Sequence, residues 1–327
     1  MTTSFWESRP VVVTGGEGFI GSTLVEALVR AGADVTVLAH YKPYGRHGHL
    51  AEVMDQIKLV GGDVRDADLV SHTVRGTDTV FHLAALIGIP YSYVAPDSYV
   101  QTNVAGTRNI AEAARQHGVR RLIHTSTSEV YGTAQTVPIS ESHPLQPQSP
   151  YSASKIGADM MALSYFHSFG TPVSVCRPFN TYGPRQSARA IIPAVLEQLH
   201  AGAETIRLGA TSPTRDFTFV TDTAAGFLAI AQSDEAVGQV LNLGTGREIS
   251  IGDLATLLLE ITGSSARLEH DAERERPAGS EVHRLVSDHS LVTALTRWEP
   301  SVTLREGLER TSEWIRARTD LSTRYEV

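Results

Sequence analysis

Thr127, Ser128 and Glu129 lie within the run Thr125-Ser126-Thr127-Ser128-Glu129-Val130-Tyr131-Gly132, and Tyr151-Ser152-Ala153-Ser154-Lys155 follows downstream. A tyrosine and a lysine four residues apart share one face of a helix. A phenol beside an ammonium group gives up its proton more readily than its ordinary pKa of about 10 implies. Such a pair can take the proton of an alcohol as the alcohol is oxidised. Glu129 adds a second acid/base that simple alcohol oxidation does not need. The chemistry predicted is therefore oxidation coupled to a further proton transfer.

These groups need a scaffold. Short apolar strands are predicted at Pro10–Thr14, Asp34–Leu38, Ile57–Gly61, Thr79–Leu83, Arg121–Thr125 and Val173–Arg177. Helical segments alternate with them, beginning near Phe19, Ala105 and Ser152, which is the βαβ pattern of a parallel sheet. Asn103–His117 and Ser154–Ser168 read as amphipathic helices. A last sheet strand is predicted at Gln239–Leu243 and a helix at Ser250–Ile261, while Pro213–Phe219 and Arg274–Arg284 read as arginine-bearing loops. The predicted fold is α/β: a Rossmann-type doubly wound parallel sheet with a smaller C-terminal substrate-binding domain. The sheet domain would span 1–180, completed by about 219–247 and 284–296. Segments 181–218, 248–283 and 297–327 would form the lid.

The first strand runs into Gly15-Gly16-Glu17-Gly18-Phe19-Ile20-Gly21. Glycines at 15, 18 and 21 suit a turn where backbone approaches a pyrophosphate and the first N–H groups of a helix face it. The second strand should end in an acid that holds the adenosine ribose. Here it runs into Ala39-His40-Tyr41-Lys42, which has none. Backbone groups with His40 or Tyr41 would then serve the ribose of NAD; alternatively Lys42 or Arg46 would receive the 2′-phosphate of NADP. NAD is the expected cofactor. Asp63 and Val64 are placed to meet the adenine edge, and Leu83-Ala84-Ala85 leaves room for the cofactor. His40, His47 and His49 lack the carboxylate or cysteine that would complete a metal set, so no metal is expected.

The chain has 327 residues, of which 41% are hydrophobic and 20% charged, enough for a full core. A net charge of −8 argues against a nucleic-acid or anionic-membrane partner. The single cysteine, Cys176, rules out an internal disulfide and reads as core. No signal or spanning segment is read, and the expected location is the cytoplasm.

Further motifs carry a family resemblance. They are Gly62-Asp63-Val64-Arg65-Asp66, His82-Leu83-Ala84-Ala85, Thr102-Asn103-Val104-Ala105-Gly106-Thr107, Arg177-Pro178-Phe179-Asn180-Thr181-Tyr182-Gly183-Pro184, Arg215-Asp216-Phe217 and Asn242-Leu243-Gly244-Thr245-Gly246. With the glycine turn and the Tyr151/Lys155 pair, the chain resembles the extended short-chain dehydrogenase/reductases of the nucleotide-sugar epimerase/dehydratase family. The segments Leu86–Tyr93, Thr125–Gly132 and Gly183–Ala190 are similar to legionaminic-acid-type 4,6-dehydratases, which act on nucleotide-linked N-acetylglucosamine.

The resemblance implies that Tyr151 is the base at the sugar C4 hydroxyl. Lys155 would lower its pKa and hold the nicotinamide ribose, and Thr127 would bind the reacting oxygen. Glu129 would take the C5 proton, and Ser128 stands where glucose-type enzymes carry an aspartic acid. It implies further cofactor contacts at Phe19, Ile20, Asn103, Thr125 and Pro178. Substrate contacts would come from Ser92, Asn180, Arg185, Arg215, Arg276 and Glu281. A homodimer through a four-helix bundle is also implied. UDP-glucuronate decarboxylation, 4-epimerisation and a non-catalytic dinucleotide sensor are the alternative activities.

Overall fold

A computed structural model of the chain describes residues 4–40, 48–271 and 282–318. Strands β1 (Pro10–Thr14), β2 (Asp34–His40), β3 (Ile57–Gly62), β4 (Thr79–His82), β5 (Arg121–Thr125) and β6 (Val173–Pro178) alternate with helices. These are α1 (Phe19–Arg30), α2 (Ala67–Val74), α3 (Ile89–Val94), α4 (Pro96–Tyr99), α5 (Gly106–His117) and α6 (Pro150–Phe169). Then come β7 (Asn180–Tyr182), α7 (Ile191–His200), β8 (Thr205–Leu208), β9 (Thr214–Arg215), β10 (Phe217–Phe219), α8 (Val220–Gln232) and β11 (Val240–Leu243). The chain closes with β12 (Ile249–Ser250), α9 (Ile251–Thr262), β13 (Arg267–His270), β14 (Arg284–Leu285), α10 (Ser290–Thr296) and α11 (Leu304–Ala317).

Seven parallel strands form the main sheet in the order β11-β6-β5-β4-β1-β2-β3. Helices cover both faces, so the strands read as continuous apolar runs: every residue of β4 and β6 is buried. Val13, Val37, Phe81 and Leu241 pack one face against Leu24 and Phe227, and Val12, Val80, Leu122 and Val175 pack the other against Ile110 and Ala162. The strand order reverses between β1 and β4. A crevice therefore opens at their carboxyl ends, where open α/β sheets bind ligands.

The later segments form a further core around Ile192, Leu196, Leu254, Leu258 and Leu308. The stretch expected as a loop at 213–219 contains β9 and β10, because each finds a partner: β9 pairs with β12 and β14, and β10 with β7.

One helix departs from expectation. Val100–Ala105 is wound as a π-helix before regular α5 begins at Gly106. Asn103 lies in that widened turn, its Oδ1 accepting from Leu86 N at 2.9 Å and its Nδ2 donating to Leu86 O and Ser154 Oγ. One amide side chain thus ties the segment after β4 to α6. Such π-turns occur frequently at functional sites.

Candidate active site

Helix α6 sets the position of Tyr151 and Lys155. It starts with Pro150 at a position that needs no N–H donor. Ser149 and Ser152 cap each other's backbone groups, and Gly170 ends the helix in the left-handed region. Strand β5 delivers the partners. Past Thr125 the chain turns into a short 3₁₀ segment, Ser128–Tyr131, capped by Thr127, whose Oγ1 accepts from Glu129 N at 3.2 Å. Thr127 and Glu129 are partly exposed, while Ser128 and Val130 turn inward and are buried.

The Thr127 hydroxyl and the Glu129 carboxylate are both close enough to act on the Tyr151 phenol. The ring of Tyr99 stands edge-on to that of Tyr151, 6.2 Å between centroids. Burial raises the Tyr151 pKa above its ordinary value, and the nearby Thr127 hydroxyl opposes the rise.

Lys155 Nζ donates to Thr125 O at 2.6 Å, and within the chain itself burial is the largest influence on the Tyr151 phenol. The same burial pulls the Lys155 ammonium down to about 8, with the Asp159 carboxylate opposing. At pH 7 roughly nine-tenths of such an ammonium remains charged.

Behind the pair lies a buried charge network. Asp159, fully buried, accepts from Ser126 Oγ at 2.8 Å and from Arg177 at 2.9 and 3.1 Å. Arg177 continues to Tyr131, whose hydroxyl donates to Asn242 Oδ1 at 2.7 Å. His124 Nε2 stands 3.3 Å from the other Asp159 oxygen, and burial holds its pKa below the usual histidine range. Sequence reasoning overlooked Asp159, although it lies four residues past Lys155 and so on the same helical face.

The glycine turn sits at the crevice. Gly15 has φ +68°, and a Cβ there would come within 2.9 Å of Ala84 N. At Gly21 a Cβ would lie 2.3 Å from Gly15 O. Neither position tolerates a side chain, so the β1 turn packs directly on the Leu83-Ala84-Ala85 segment after β4. Thr14 Oγ1 accepts from Ala84 N at 3.1 Å and fixes that contact. Gly18 is exposed, leaving its backbone open to a ligand. Phe19 and Ile20 begin α1 and are partly buried, and Pro178 ends β6.

Other expected positions divide. Thr125 Oγ1 and Asn180 Oδ1 are buried without hydrogen-bond partners, as groups reserved for a ligand would be. Arg215 is buried, with Nη1 donating to Thr214 O. Asp63 is gripped by Arg65 through several hydrogen bonds, which hold its pKa below normal, and buried Val64 faces Gly106. His40 ends β2, exposed, with its ring 3.9 Å from Asp63.

Two substrate expectations do not match the local contacts. Arg185 is tied to α1 through Glu26 at 2.6 Å and Ser22 Oγ at 3.2 Å. Ser92 is fully buried, with its hydroxyl donating to Ile89 O inside α3. In both cases a nearby acceptor within the protein takes the polar group. Lys42, Arg276 and Glu281 lie outside the described residues.

A concavity of about 760 Å³ opens elsewhere, at the amino ends of the strands, lined by Asp78, Arg120, Arg115 and Phe169. Its charges are paired, Arg120 with Asp78 at 3.0 Å and Arg115 with Glu112 at 2.6 Å. It holds no acid/base pair, so the candidate site is the chemically equipped crevice at the other end.

A parallel sheet with a glycine turn at its switch point and a Tyr/Lys pair beside a Thr/Glu pair defines an extended short-chain dehydrogenase/reductase. The family model described as GDP-mannose 4,6 dehydratase matches residues 12–311, and the chain belongs to that nucleotide-sugar dehydratase and epimerase family. It is 35% identical to a dTDP-glucose 4,6-dehydratase of Actinoplanes sp., over 94% of this chain and 98% of the relative. It is 36% identical to a UDP-glucose 4-epimerase of Mycolicibacterium smegmatis, over 94% and 99%. Among solved structures, a double mutant of the dTDP-glucose 4,6-dehydratase DesIV from Streptomyces venezuelae, with NAD bound, superposes with a TM-score of 0.86. The two are 31% identical, over 94% of this chain and 97% of that one.

Proposed function

We propose that the protein is an NAD-dependent nucleotide-sugar 4,6-dehydratase acting on a nucleoside-diphosphate N-acetylglucosamine. The glycine turn, the opening at Gly18 and the orphaned Thr125 hydroxyl suit a dinucleotide laid across the β1/β4 crevice. Bound there, NAD⁺ would supply the acceptor for the C4 hydride and the donor that gives it back at C6, with no net redox change. Tyr151 removes the C4 hydroxyl proton while Thr127 holds the oxygen. The resulting 4-ketone acidifies C5–H, and Glu129 removes that proton. The C6 hydroxyl leaves as water, and a proton delivered to C5 completes the 4-keto-6-deoxy sugar.

The observation that carries this reading is Glu129, fixed beside Thr127 and near enough to act electrostatically on Tyr151. Inversion at C4 needs no such carboxylate. Serine at 128, where glucose-type enzymes carry an aspartic acid, favours the N-acetylhexosamine and leaves proton delivery to the C6 oxygen to water, Ser128 or Glu129. Asn180 and Arg215 would meet the diphosphate, where a forked guanidinium suits phosphate oxygens. Segments 181–218, 248–283 and 297–327 would act as the lid. The similarity to a 4-epimerase sustains 4-epimerisation as the second reading. Incubating the protein with UDP-, GDP-, CDP- and dTDP-linked sugars separates these readings by mass. Loss of one water supports dehydration, unchanged mass with a new sugar isomer supports epimerisation, and loss of carbon dioxide supports decarboxylation.

Among the described residues no helix is long and apolar enough to cross a membrane. Val100 beside α5 and Met160 on α6 are exposed apolar residues, and these helices would pair with those of a second copy. A dimer through these helices predicts twice the chain mass in sedimentation at micromolar concentration; a monomer would refute it.

A further inference from the structure

Strand β2 ends at His40 without an acid, yet a carboxylate stands there. It belongs to Glu17, the residue just before the second motif glycine, Gly18. Its Oε1 accepts from His40 N at 2.9 Å, which pins the side chain to the end of β2. Its Oε2 is buried and has no hydrogen-bond partner. The chain returning at Gly48 and His49 lies against Glu17: His49 N approaches Glu17 O at 3.4 Å, and a Cβ on Gly48 would come within 2.4 Å of that oxygen. Asp63, the acid at the neighbouring strand end, is already engaged by Arg65.

A buried carboxylate oxygen without a donor is costly, and such groups mark places where a ligand completes the set. The carboxyl end of β2 is where this fold class receives the adenosine ribose. We infer that Glu17 supplies from the glycine turn the carboxylate missing from β2, with Oε2 accepting from the ribose hydroxyls and excluding a 2′-phosphate. Among the described residues, the charged and titratable groups given against this corner are the exposed His40 ring and the Asp63/Arg65 pair, and Arg65 is engaged by Asp63. Lys42 and Arg46, the alternative phosphate ligands, lie outside the described residues. This assignment rests on the dinucleotide reading of the crevice and not on any particular sugar chemistry.

The test is calorimetric titration of the cofactor-depleted full chain with NAD⁺ and NADP⁺ separately, for wild type and Glu17→Gln. Glutamine keeps the shape and can still accept from His40 N. Wild type should bind NAD⁺ far more tightly. In Glu17→Gln the ratio of the two dissociation constants should move toward NADP⁺ by at least about tenfold, the equivalent of about 1.4 kcal/mol. Because the readout is a ratio within one protein sample, partial loss of folded material cancels. An unchanged ratio overturns the role of Glu17. Failure of wild type to bind either dinucleotide overturns the crevice reading itself, and with it this inference.

Discussion

At the scale of single residues, the proposed function divides the chemistry between oxidation and elimination among four groups. Tyr151 and Thr127 would serve the C4 oxygen, Lys155 would bring positive charge, and Glu129, near enough for its charge to act on Tyr151, would take the C5 proton. Tyr151→Phe keeps the ring and its edge contact with Tyr99 but removes the proton acceptor. It should abolish the C4 oxidation, read as no change in nicotinamide absorbance on adding substrate, with thermal stability preserved. Reduction of the nicotinamide at the wild-type rate would exclude Tyr151 as the base. The residue pattern was legible because tyrosine and lysine at helical spacing, followed back to a Thr-Ser-Glu triplet, have a chemical meaning independent of fold. The placing of the Glu17 carboxylate at the end of β2 was not legible, because only the folded chain brings the glycine turn there.

At the scale of elements, α6 is held to β5 and β6 by charge as well as by packing. Asp159 joins Ser126 past β5 to Arg177 on β6, and its charge acts on Lys155. Removing one partner of a buried ion pair strands the other, at a typical cost of about 3–5 kcal/mol. Asp159→Asn should therefore lower unfolding free energy in denaturant by roughly that amount; a loss near that of a surface substitution would show the network to be dispensable. The main-sheet strands could be read from the sequence because helices on both faces make each an uninterrupted apolar run. Their ends shifted by a residue or two, as at His40 and Gly62, since parallel pairing with β3 carries β2 past its apolar portion. The π-turn at Asn103 and the short strands β9 and β10 could not be read. Each depends on a partner distant in sequence: Leu86 and Ser154 for the first, β12, β14 and β7 for the others.

At the scale of the molecule, function is set against stability. Burial lowers the Lys155 pKa from 10.5 to about 8 in the folded chain. The unfolded chain therefore holds this proton more tightly, and the folded state is penalised below about pH 8. The penalty is relieved as pH rises from about 8 toward 10.5, by an amount on the order of 3 kcal/mol. Lys155→Met should therefore be most favourable relative to wild type near pH 7 and lose that advantage as pH approaches 10. A difference independent of pH in paired denaturant titrations would contradict the buried, depressed lysine. On the proposed function, the sheet crevice and its flanking turn would serve one sequence of events, in which oxidation at C4 enables loss of water across C5 and C6. The most direct test follows nicotinamide absorbance and product mass together for Glu129→Gln supplied with the nucleotide sugar that wild type turns over. The account predicts that the nicotinamide is still reduced while the product one water lighter falls by about 10²–10⁴-fold, the usual worth of a general base. Release of the dehydrated sugar at the wild-type rate would contradict it.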